Sequence, residues 1–261
     1  MSTSGCTGCP MYSVEGLKKL GVDMREFDHV IALAGNPNTG KSTVFNALTG
    51  LRQHTGNWPG KTVTRAEGAF RFNGSRYKIV DLPGTYSLLA TSTDEEVARN
   101  FILFGQPTVT VVVVDATRLE RNLNLALQVL EITDRAVVCL NLMDEARRHG
   151  LTVDDRRLAR DLGVPVVATA ARQGDGITDL LKAIDEVASG EAVCRPRRVA
   201  IRDPKVRKAL EELTAQVSAV HPGLPNARWV ALRLLGGDPG IVSALQSGEL
   251  GTIEEPQEVT A

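Results

Sequence analysis

Residues 35–42 carry the residue types and the spacing that bind phosphate groups. The sequence GNPNTGKS fits the pattern G-x-x-x-x-G-K-[ST], in which glycines let backbone N–H groups curve around phosphate oxygens. Lys41 is expected to reach the outer phosphates, and the Ser42 hydroxyl is expected to bind Mg²⁺. The other predicted nucleotide contacts in this segment and directly after it are Gly35, Asn36, Pro37, Asn38, Thr39, Gly40 and Thr43.

This segment stands between a predicted strand and a predicted helix. An apolar run at 30–34 precedes it, and Val44, Phe45 and Leu48 follow with the spacing of one helix face. The N-terminus of that helix adds its positive dipole end to a phosphate site. A chance glycine turn would not need this context, so the sequence favours a nucleoside triphosphate site.

Three further segments together indicate a guanine rather than an adenine nucleotide. The sequence DLPG at 81–84 fits D-x-x-G, in which Asp81 would hold Mg²⁺ through water and the Gly84 amide would sense the γ-phosphate. The sequence NLMD at 141–144 fits N-x-x-D, whose carboxylate accepts two hydrogen bonds that guanine can donate and adenine cannot. The sequence TAAR at 169–172 takes the place of an S-A-K loop, whose backbone N–H meets guanine O6. The predicted guanine contacts are Asn141, Met143, Asp144, Thr169, Ala170 and Ala171.

Residues 51–62 form a polar, glycine-rich segment that is expected to be mobile. Its position between the phosphate loop and D-x-x-G predicts the first switch, with Thr62 as a Mg²⁺ ligand when the γ-phosphate is present. Gly60 and Lys61 are predicted contacts beside it. The alternative is a surface loop whose Trp58 only packs against the core.

The residue at position 85 affects the expected rate at which the bound nucleotide is hydrolysed. Ras-like proteins place a water-positioning Gln directly after D-x-x-G, whereas this chain has Thr85, so unaided hydrolysis is expected to be slow. Asn38 is a candidate for holding a cation against the phosphates, where positive charge would stabilise the transition state. The alternative for Asn38 is an ordinary turn residue. The predicted catalytic residues are Asn38, Lys41, Thr62 and Gly84.

Strand and helix patterns alternate from about residue 29 to residue 188, which predicts an α/β fold with a mostly parallel sheet. A polar hinge at 195–198 follows, and Asp203 with Pro204 then opens a series of helices. The predicted units are an N-terminal extension at 1–28, a nucleotide-binding domain at 29–190, a small all-helical domain at 196–250 and a tail at 251–261.

Composition limits the function classes. The 261 residues have a formal net charge of −1, which gives no overall attraction to nucleic acid or to an anionic membrane. No apolar run approaches the ~20 residues that cross a bilayer, and no secretory signal is visible. Four cysteines indicate a reducing cytosol rather than a disulfide scaffold. Cys6 and Cys9 form a lone C-x-x-C, interpreted as two thiols in a mobile tail rather than a metal site; His54 is interpreted as solvated.

Four runs of residues, at 35–50, 56–63, 81–88 and 141–144, resemble the FeoB ferrous iron transporter family. The resemblance covers about residues 29–190. It implies a Ras-like P-loop G domain, with a six-stranded, mostly parallel sheet flanked by helices, followed by a small all-helical domain. It also implies binding of GTP and GDP and slow, K⁺-stimulated GTP hydrolysis. The metal ligands that it implies are Ser42, Thr62 and, through water, Asp81 for Mg²⁺, and Asn38 for K⁺.

The same resemblance implies a cytoplasmic switch that regulates Fe(II) uptake through a membrane-embedded domain absent from this chain. The implied location is the cytoplasmic face of the bacterial inner membrane, and this part alone would be soluble in the cytoplasm. The implied partners are that membrane domain and small accessory Feo-type proteins, without nucleic acid; homo-oligomers stay open. We interpret the chain as an excised portion rather than a stand-alone protein. Leu142 and Ala170 depart from the common N-K-x-D and S-A-K patterns, which predicts loose guanine binding.

Two other functions share part of this pattern. A GTPase of ribosome or tRNA maturation would carry the same motif order, with an added RNA-binding module and a basic face. Residues after 196 offer only a short arginine cluster and no G-x-x-G loop of the KH type, which disfavours this alternative. A nucleotide sensor without useful turnover is the third interpretation.

Overall fold

A mostly parallel β-sheet with helices on both faces forms the larger part of the molecule. This computed structural model describes residues 16–18, 20–51, 53–89, 92–198, 200–222, 224 and 226–246. The strands are β1 His29–Gly35, β2 Gln53–Asn57, β3 Thr64–Phe72, β4 Ser75–Asp81, β5 Val109–Asp115, β6 Ala136–Asn141 and β7 Val166–Ala168. Their order in the sheet is β2-β3-β4-β1-β5-β6-β7, and β1, β4, β5, β6 and β7 are parallel.

The helices alternate with the strands and then continue beyond them. Those of the α/β part are α1 Lys41–Thr49, α2 Thr93–Gly105, α3 Leu119–Ile132, α4 Met143–Arg148, α5 Asp155–Leu162 and α6 Ile177–Ser189, with a 3₁₀ turn at Ala116–Arg118. The helices that follow are α7 Pro204–Val220, α8 Ala227–Leu235 and α9 Pro239–Gln246. The α/β fold with a mostly parallel sheet is therefore confirmed.

The strand count was wrong: the described residues contain seven strands rather than six. The additional strand is β2, which pairs antiparallel with β3 inside the segment that was predicted to be mobile. Glycine and asparagine are depleted in strands, so the sequence QHTGN gives almost no strand signal. Backbone pairing with β3 overrides that weak propensity at the sheet edge.

The two faces of the central strands bury separate halves of the core. In β1, Val30 and Ala32 pack on one face with Phe101 of α2, whereas Ile31 packs on the other with Phe45 of α1. Successive strand residues point to opposite faces, and here both faces are apolar because helices cover both. The sheet is thereby packed on both faces, and the loops leave its carboxyl edge.

Capping side chains begin two of the C-terminal helices, and the sequence indicated the first of these starts. Asp203 accepts backbone N–H groups of Lys205 and Val206 at 2.7 and 3.3 Å, directly before Pro204 opens α7. Asn226 caps α8 in the same way and accepts the Trp229 N–H at 3.0 Å. These helices lie in the proposed helical domain, although the domain boundaries themselves stay a prediction.

Several expectations fall outside the described residues, namely those for Cys6, Cys9 and the tail at 251–261. Among the helices of the described ranges, none combines the length and the apolar character that crossing a bilayer requires. In the same ranges, no group of three or more His, Cys, Asp or Glu side chains is arranged to hold a metal ion.

Candidate nucleotide site

The phosphate loop is the connection between β1 and α1, and it lies at the carboxyl edge of the sheet. Gly40 has φ 78°, and a Cβ atom there would come within 2.4 Å of Asn141 Nδ2, so only glycine fits. Asn38, Ser42 and Thr43 are exposed on the loop and on the first turn of α1, where a phosphate group would meet them. The predicted loop therefore has the expected place and an accessible surface.

Lys41 and Asp81 contact each other in this structure. The Lys41 ammonium is hydrogen-bonded to the Asp81 carboxylate and also donates to the Leu82 carbonyl oxygen at 2.7 Å. Only 12% of the Lys41 side chain and 17% of the Asp81 side chain are exposed. Burial raises the pKa of the Asp81 carboxyl, and the Lys41 ammonium opposes that rise. A lysine that bound a phosphate would have to share its charge with this carboxylate.

Asn141 joins the phosphate loop to the predicted guanine loop. Its Nδ2 donates to the Thr39 carbonyl oxygen at 3.0 Å, and its Oδ1 accepts the Ala171 N–H and the Thr169 hydroxyl at 3.1 Å each. All these groups are buried, and Asn141 itself is 1% exposed. The first residue of N-x-x-D thus acts as a brace between two loops.

Asp144 lies on α4 near the loop at 169–173. Its carboxylate accepts a hydrogen bond from Gln173 Nε2 at 3.2 Å, and Arg148 Nη2 lies 3.7 Å away. The Met143 N–H donates to the Thr169 carbonyl oxygen at 3.1 Å, which fixes the start of α4 against that loop. Asp144 is only partly buried, so a base that binds there would replace the Gln173 contact.

The D-x-x-G segment leaves β4 and passes along the phosphate loop. The Leu82 N–H donates to the Leu33 carbonyl oxygen at 3.0 Å, and the Thr85 N–H donates to that of Gly35 at 3.3 Å. A Cβ atom on Gly84 would lie 3.5 Å from Pro37. The structure therefore brings Gly84 beside the loop that would hold the γ-phosphate.

The predicted first switch is tied to α2. Thr62 is exposed, whereas Lys61 forms a 2.8 Å ion pair with Glu96, and Gly60 has φ 67°. Trp58 is 3% exposed and packs edge-on against Phe101, with ring centroids 5.4 Å apart. Trp58 packs as the alternative interpretation expected, but this does not test whether the neighbouring Thr62 acts in a switch.

The structure thus gathers the predicted residues of the phosphate loop, D-x-x-G, N-x-x-D and the loop at 169–171 along one edge of the sheet. Ala170 and Ala171 are buried there at 3% and 6% exposure. Sequence reasoning missed Gln173 and Glu96, because single polar residues outside a motif give no signal. The pairing of Lys41 with the Leu82 carbonyl oxygen was equally invisible, since it depends on how β4 ends.

Comparison with known proteins shows similarity over a longer part of the chain than the motifs alone. A family model described as ferrous iron transport protein B matches residues 29–184. The Fe(2+) transporter FeoB of Salmonella typhimurium strain LT2 is 42% identical over 223 residues, which are 84% of this chain and 28% of that relative. The chain therefore spans about a quarter of the length of the curated relatives that it matches.

Solved structures of cytosolic domains resemble the chain over most of its length. The cytosolic domain of the T. maritima FeoB iron transporter in GDP form I aligns with a TM-score of 0.77 at 35% identity, covering 88% of this chain and 87% of that one. The GMPPNP form of the same domain aligns with a TM-score of 0.76 at 35% identity, covering 88% and 89%. Because the family model matches more than half of its residues, this chain belongs to the ferrous iron transport protein B (FeoB) family.

Proposed function

We propose that this chain is the GTP-binding, slowly GTP-hydrolysing switch of a ferrous iron transporter. The observation that carries the proposal is the convergence of Lys41, Asp81 and the Asn141 brace at one sheet edge. Such edges are where open α/β sheets bind ligands. The GDP and GMPPNP forms named for the T. maritima domain support a guanine nucleotide as the ligand here.

The donor set at this edge suits Mg²⁺, which prefers oxygen ligands. The exposed Ser42 hydroxyl, the Asp81 carboxylate and the Thr62 hydroxyl would hold it, Asp81 through water. The ion would supply positive charge beside the outer phosphates. The amide oxygen of exposed Asn38 suits K⁺ in the same way.

The chain's own residues would then arrange the phosphates for attack by water. In hydrolysis the bond between the γ-phosphorus and the bridging oxygen breaks, and its electron pair leaves with GDP. A new bond forms to the water oxygen, and the water protons pass to phosphate and solvent. Lys41 and the loop N–H groups would stabilise the charge on the outer oxygens. Thr85 is 4% exposed and stands where Ras-like proteins have a water-positioning Gln, so turnover would be slow.

Coupling to iron would occur through a membrane domain. The curated relatives are several times longer than this chain, which supports a membrane-embedded iron-transport domain in the same polypeptide at the cytoplasmic face of the bacterial membrane. Small accessory Feo-type proteins are proposed partners, and nucleic acid is not. Loop ordering at Thr62 and Gly84 would carry the nucleotide state to that domain.

A comparison of GTP turnover in K⁺ and in Na⁺ at equal ionic strength tests the proposal. We expect K⁺ to raise the rate by on the order of tenfold in the wild-type chain. Asn38→Gly should abolish that difference, and it removes the side chain without strain because Asn38 has φ 65°. Asn124→Ala, an exposed position on α3, is the matched control.

The affinity for GTP, and its competition by ATP, provide a second test of the proposal. Lys41→Ala should weaken GTP binding by about 100-fold, since it removes charge-assisted bonds to phosphate. Lys182→Ala, on a side chain that is 59% exposed, should not weaken it. Equal competition by ATP, or an unchanged affinity in Lys41→Ala, would refute the nucleotide site.

A further inference from the structure

Residues 195–208 concentrate positive charge that the proposed nucleotide site does not use. They contain seven Lys or Arg side chains and one acidic side chain, Asp203, whereas the whole chain has a formal net charge of −1. The Asp203 carboxylate is engaged as the cap of α7, where it accepts two backbone N–H groups. A nearly neutral total therefore conceals one strongly cationic stretch.

Most of these cations have no ionic partner in the part of the chain that the structure describes. Arg198 pairs with Asp134 at 2.6 Å, and Lys208 lies 3.7 Å from Glu212. The other five are exposed and form no ion pair there; they are Arg195, Arg197, Arg202, Lys205 and Arg207. The flanking exposed carboxylates of Glu191 and Glu211 offset at most two of these five charges, so positive charge stays in excess.

The first part of the stretch is fixed at the amino end of β7. The Arg195 N–H donates to the Gly163 carbonyl oxygen at 2.8 Å, and the Arg197 N–H donates to that of Leu162 at 2.9 Å. These two acceptors end α5 and precede β7, which runs parallel to β6. The amino ends of the strands lie opposite the edge that carries the nucleotide motifs. A partner could therefore cover this surface and leave the nucleotide site open.

Exposed aliphatic side chains stand among the cations. Exposure alternates along 193–198, so that Val193, Arg195 and Arg197 point outward while the residues between them are partly buried. The Val193 side chain is 74% exposed, and that of Val206, between two cations in the first turn of α7, is 45% exposed. Apolar and cationic side chains on one surface are typical of sites that meet the interface of a lipid bilayer.

An apolar groove adjoins the same surface. It lies between residues 198–201 and α7, and its volume is about 620 Å³. Ala200, Ile201, Leu210 and Ala215 supply its apolar walls, and Arg207 of the cationic stretch is among its lining residues. A partner with an anionic head and an apolar body matches this combination better than a purely polar anion does.

We propose that this surface, formed by Arg195, Arg197, Arg202, Lys205, Arg207 and the two valines, docks on the anionic headgroups of a lipid bilayer. Clusters of Lys and Arg beside a membrane are attracted to its negative surface potential. Single-stranded nucleic acid is disfavoured, because residues 195–208 contain no aromatic side chain on which bases could stack. A second copy of the chain would present the same charge and be repelled. The inference rests on the proposed function, which places the chain beside a membrane.

Flotation of the full chain with lipid vesicles tests the proposal. The probes are vesicles of phosphatidylcholine alone and of phosphatidylcholine with about 30% phosphatidylglycerol, an anionic lipid. We expect wild type to float only with the anionic vesicles and to be released at about 1 M NaCl, which screens the charges. Arg195→Ala combined with Arg197→Ala should lower the partition coefficient about 30-fold, since each cation near such a surface contributes about fivefold.

The matched control removes two exposed cations elsewhere. Arg147→Ala combined with Lys182→Ala makes the same change in net charge on α4 and α6, and we expect a partition coefficient within about twofold of wild type. The double arginine variant should keep the wild-type melting temperature, because the Arg195 and Arg197 backbone contacts remain. A control variant that binds as weakly as the double arginine variant would overturn the proposal.

An added tryptophan reports whether the surface meets the bilayer. Trp58 and Trp229 are buried at 3% and 4% exposure, so a change in emission would come from the added indole. In Val193→Trp we expect anionic vesicles to shift the emission to the blue and to reduce quenching by acrylamide, because indoles settle at the membrane interface. Leu151→Trp, at a position that is 42% exposed and precedes α5, should show neither effect.

The other occupants give different results. Equal flotation with both kinds of vesicle, no flotation at all, or an unchanged partition coefficient in the double arginine variant would overturn the proposal. Release from anionic vesicles by single-stranded RNA at an equal phosphate concentration would assign the surface to nucleic acid instead. Flotation of Glu254→Gln combined with Glu255→Gln, but not of wild type, would assign it to the chain's own acidic segment.

The vesicle measurements need no nucleotide, so they separate this inference from the proposed function. GTP affinity is measured on the same samples. Lost vesicle binding with intact GTP binding would contradict the docking surface alone, whereas vesicle binding by a chain that does not bind GTP would contradict the proposed function alone. The double arginine variant should bind GTP as wild type does.

Discussion

The Asn141 side chain connects two loops that are far apart in the sequence. It bonds to Thr39 on one side and to Thr169 and Ala171 on the other, entirely out of solvent. Asn141→Ala would leave the Thr39 carbonyl oxygen and the Ala171 N–H buried without partners. We expect a loss of about 3 kcal/mol in the free energy of unfolding, measured by urea denaturation.

An exposed asparagine supplies the control for this change. Asn124→Ala on α3 makes the same truncation in solvent, and we expect it to stay within about 0.5 kcal/mol of wild type. A brace of this kind would also position the guanine loop, so nucleotide affinity should fall in Asn141→Ala. Equal stability of the two variants would show that the three hydrogen bonds do not hold the loops.

Leu142 bears on how tightly a guanine base would be held. It has φ 63° directly before α4, and it stands where N-K-x-D places a lysine whose stem covers the purine. Leu142→Lys should slow GDP release by about fivefold, because the longer stem buries more of the base surface. Stopped-flow fluorescence with a labelled GDP measures this rate.

Leu151→Lys, on a side chain that is 42% exposed, is the matched control and should leave GDP release unchanged. The underlying prediction is that wild-type GDP affinity is weaker than nanomolar. A nanomolar dissociation constant in wild type would contradict it, as would a release rate that Leu142→Lys does not change.

Among the elements, β2 is the one whose behaviour should depend on the nucleotide. It is an edge strand, it pairs with β3 alone among the strands of the described residues, and Thr62 follows it by five residues. If Thr62 orders around Mg²⁺ and the γ-phosphate, amide hydrogen exchange at 53–62 should slow when GMPPNP and Mg²⁺ bind. Mass spectrometry of hydrogen exchange measures this change.

The central strand β5 is the internal control, since all seven of its residues are buried. Its amides should exchange equally slowly with and without nucleotide. GMPPNP that binds without altering exchange at 53–62 would argue against a switch in this segment. Lys61→Ala, which removes the ion pair with Glu96, should raise exchange there in the nucleotide-free chain.

The predictability of each element followed the strength of its local pattern. β1, β5 and β6 are apolar runs buried on both faces, and the run at 30–34 that was predicted as a strand lies within β1. β2 was missed because its pairing is a property of the backbone and of its neighbour β3. The start of α7 was found because Asp203 is a capping residue directly before Pro204.

The candidate site was predictable to the same degree and for the same reason. Motif residues such as Lys41 and Asp81 could be placed at strand ends, and the parallel sheet brings those ends together. Their partners could not be placed. Gln173 comes to lie beside Asp144 only through loop geometry, which no spacing in the sequence encodes.

At the scale of the whole molecule, the C-terminal helices are fastened to the end of α3. Asn226 Nδ2 donates to the carbonyl oxygens of Glu131 and Ile132 at 2.7 Å each, while its Oδ1 caps α8. Arg228 and Glu131 form an ion pair of 2.8 Å across the same junction. One side chain therefore starts a helix and docks it, so movement of α3 would reach α8 directly.

Substitution of Asn226 by Asp separates these two roles. Asp keeps an oxygen that can cap α8, but it turns the donor that faces Glu131 and Ile132 into a second acceptor. We expect the C-terminal helices to detach first, so that calorimetry shows two unfolding transitions where wild type shows one. Asp203→Ala, which removes only the cap of α7, should cost about 1 kcal/mol and retain a single transition. A single transition at the wild-type temperature in Asn226→Asp would mean that other contacts, such as Arg228 with Glu131, hold the junction.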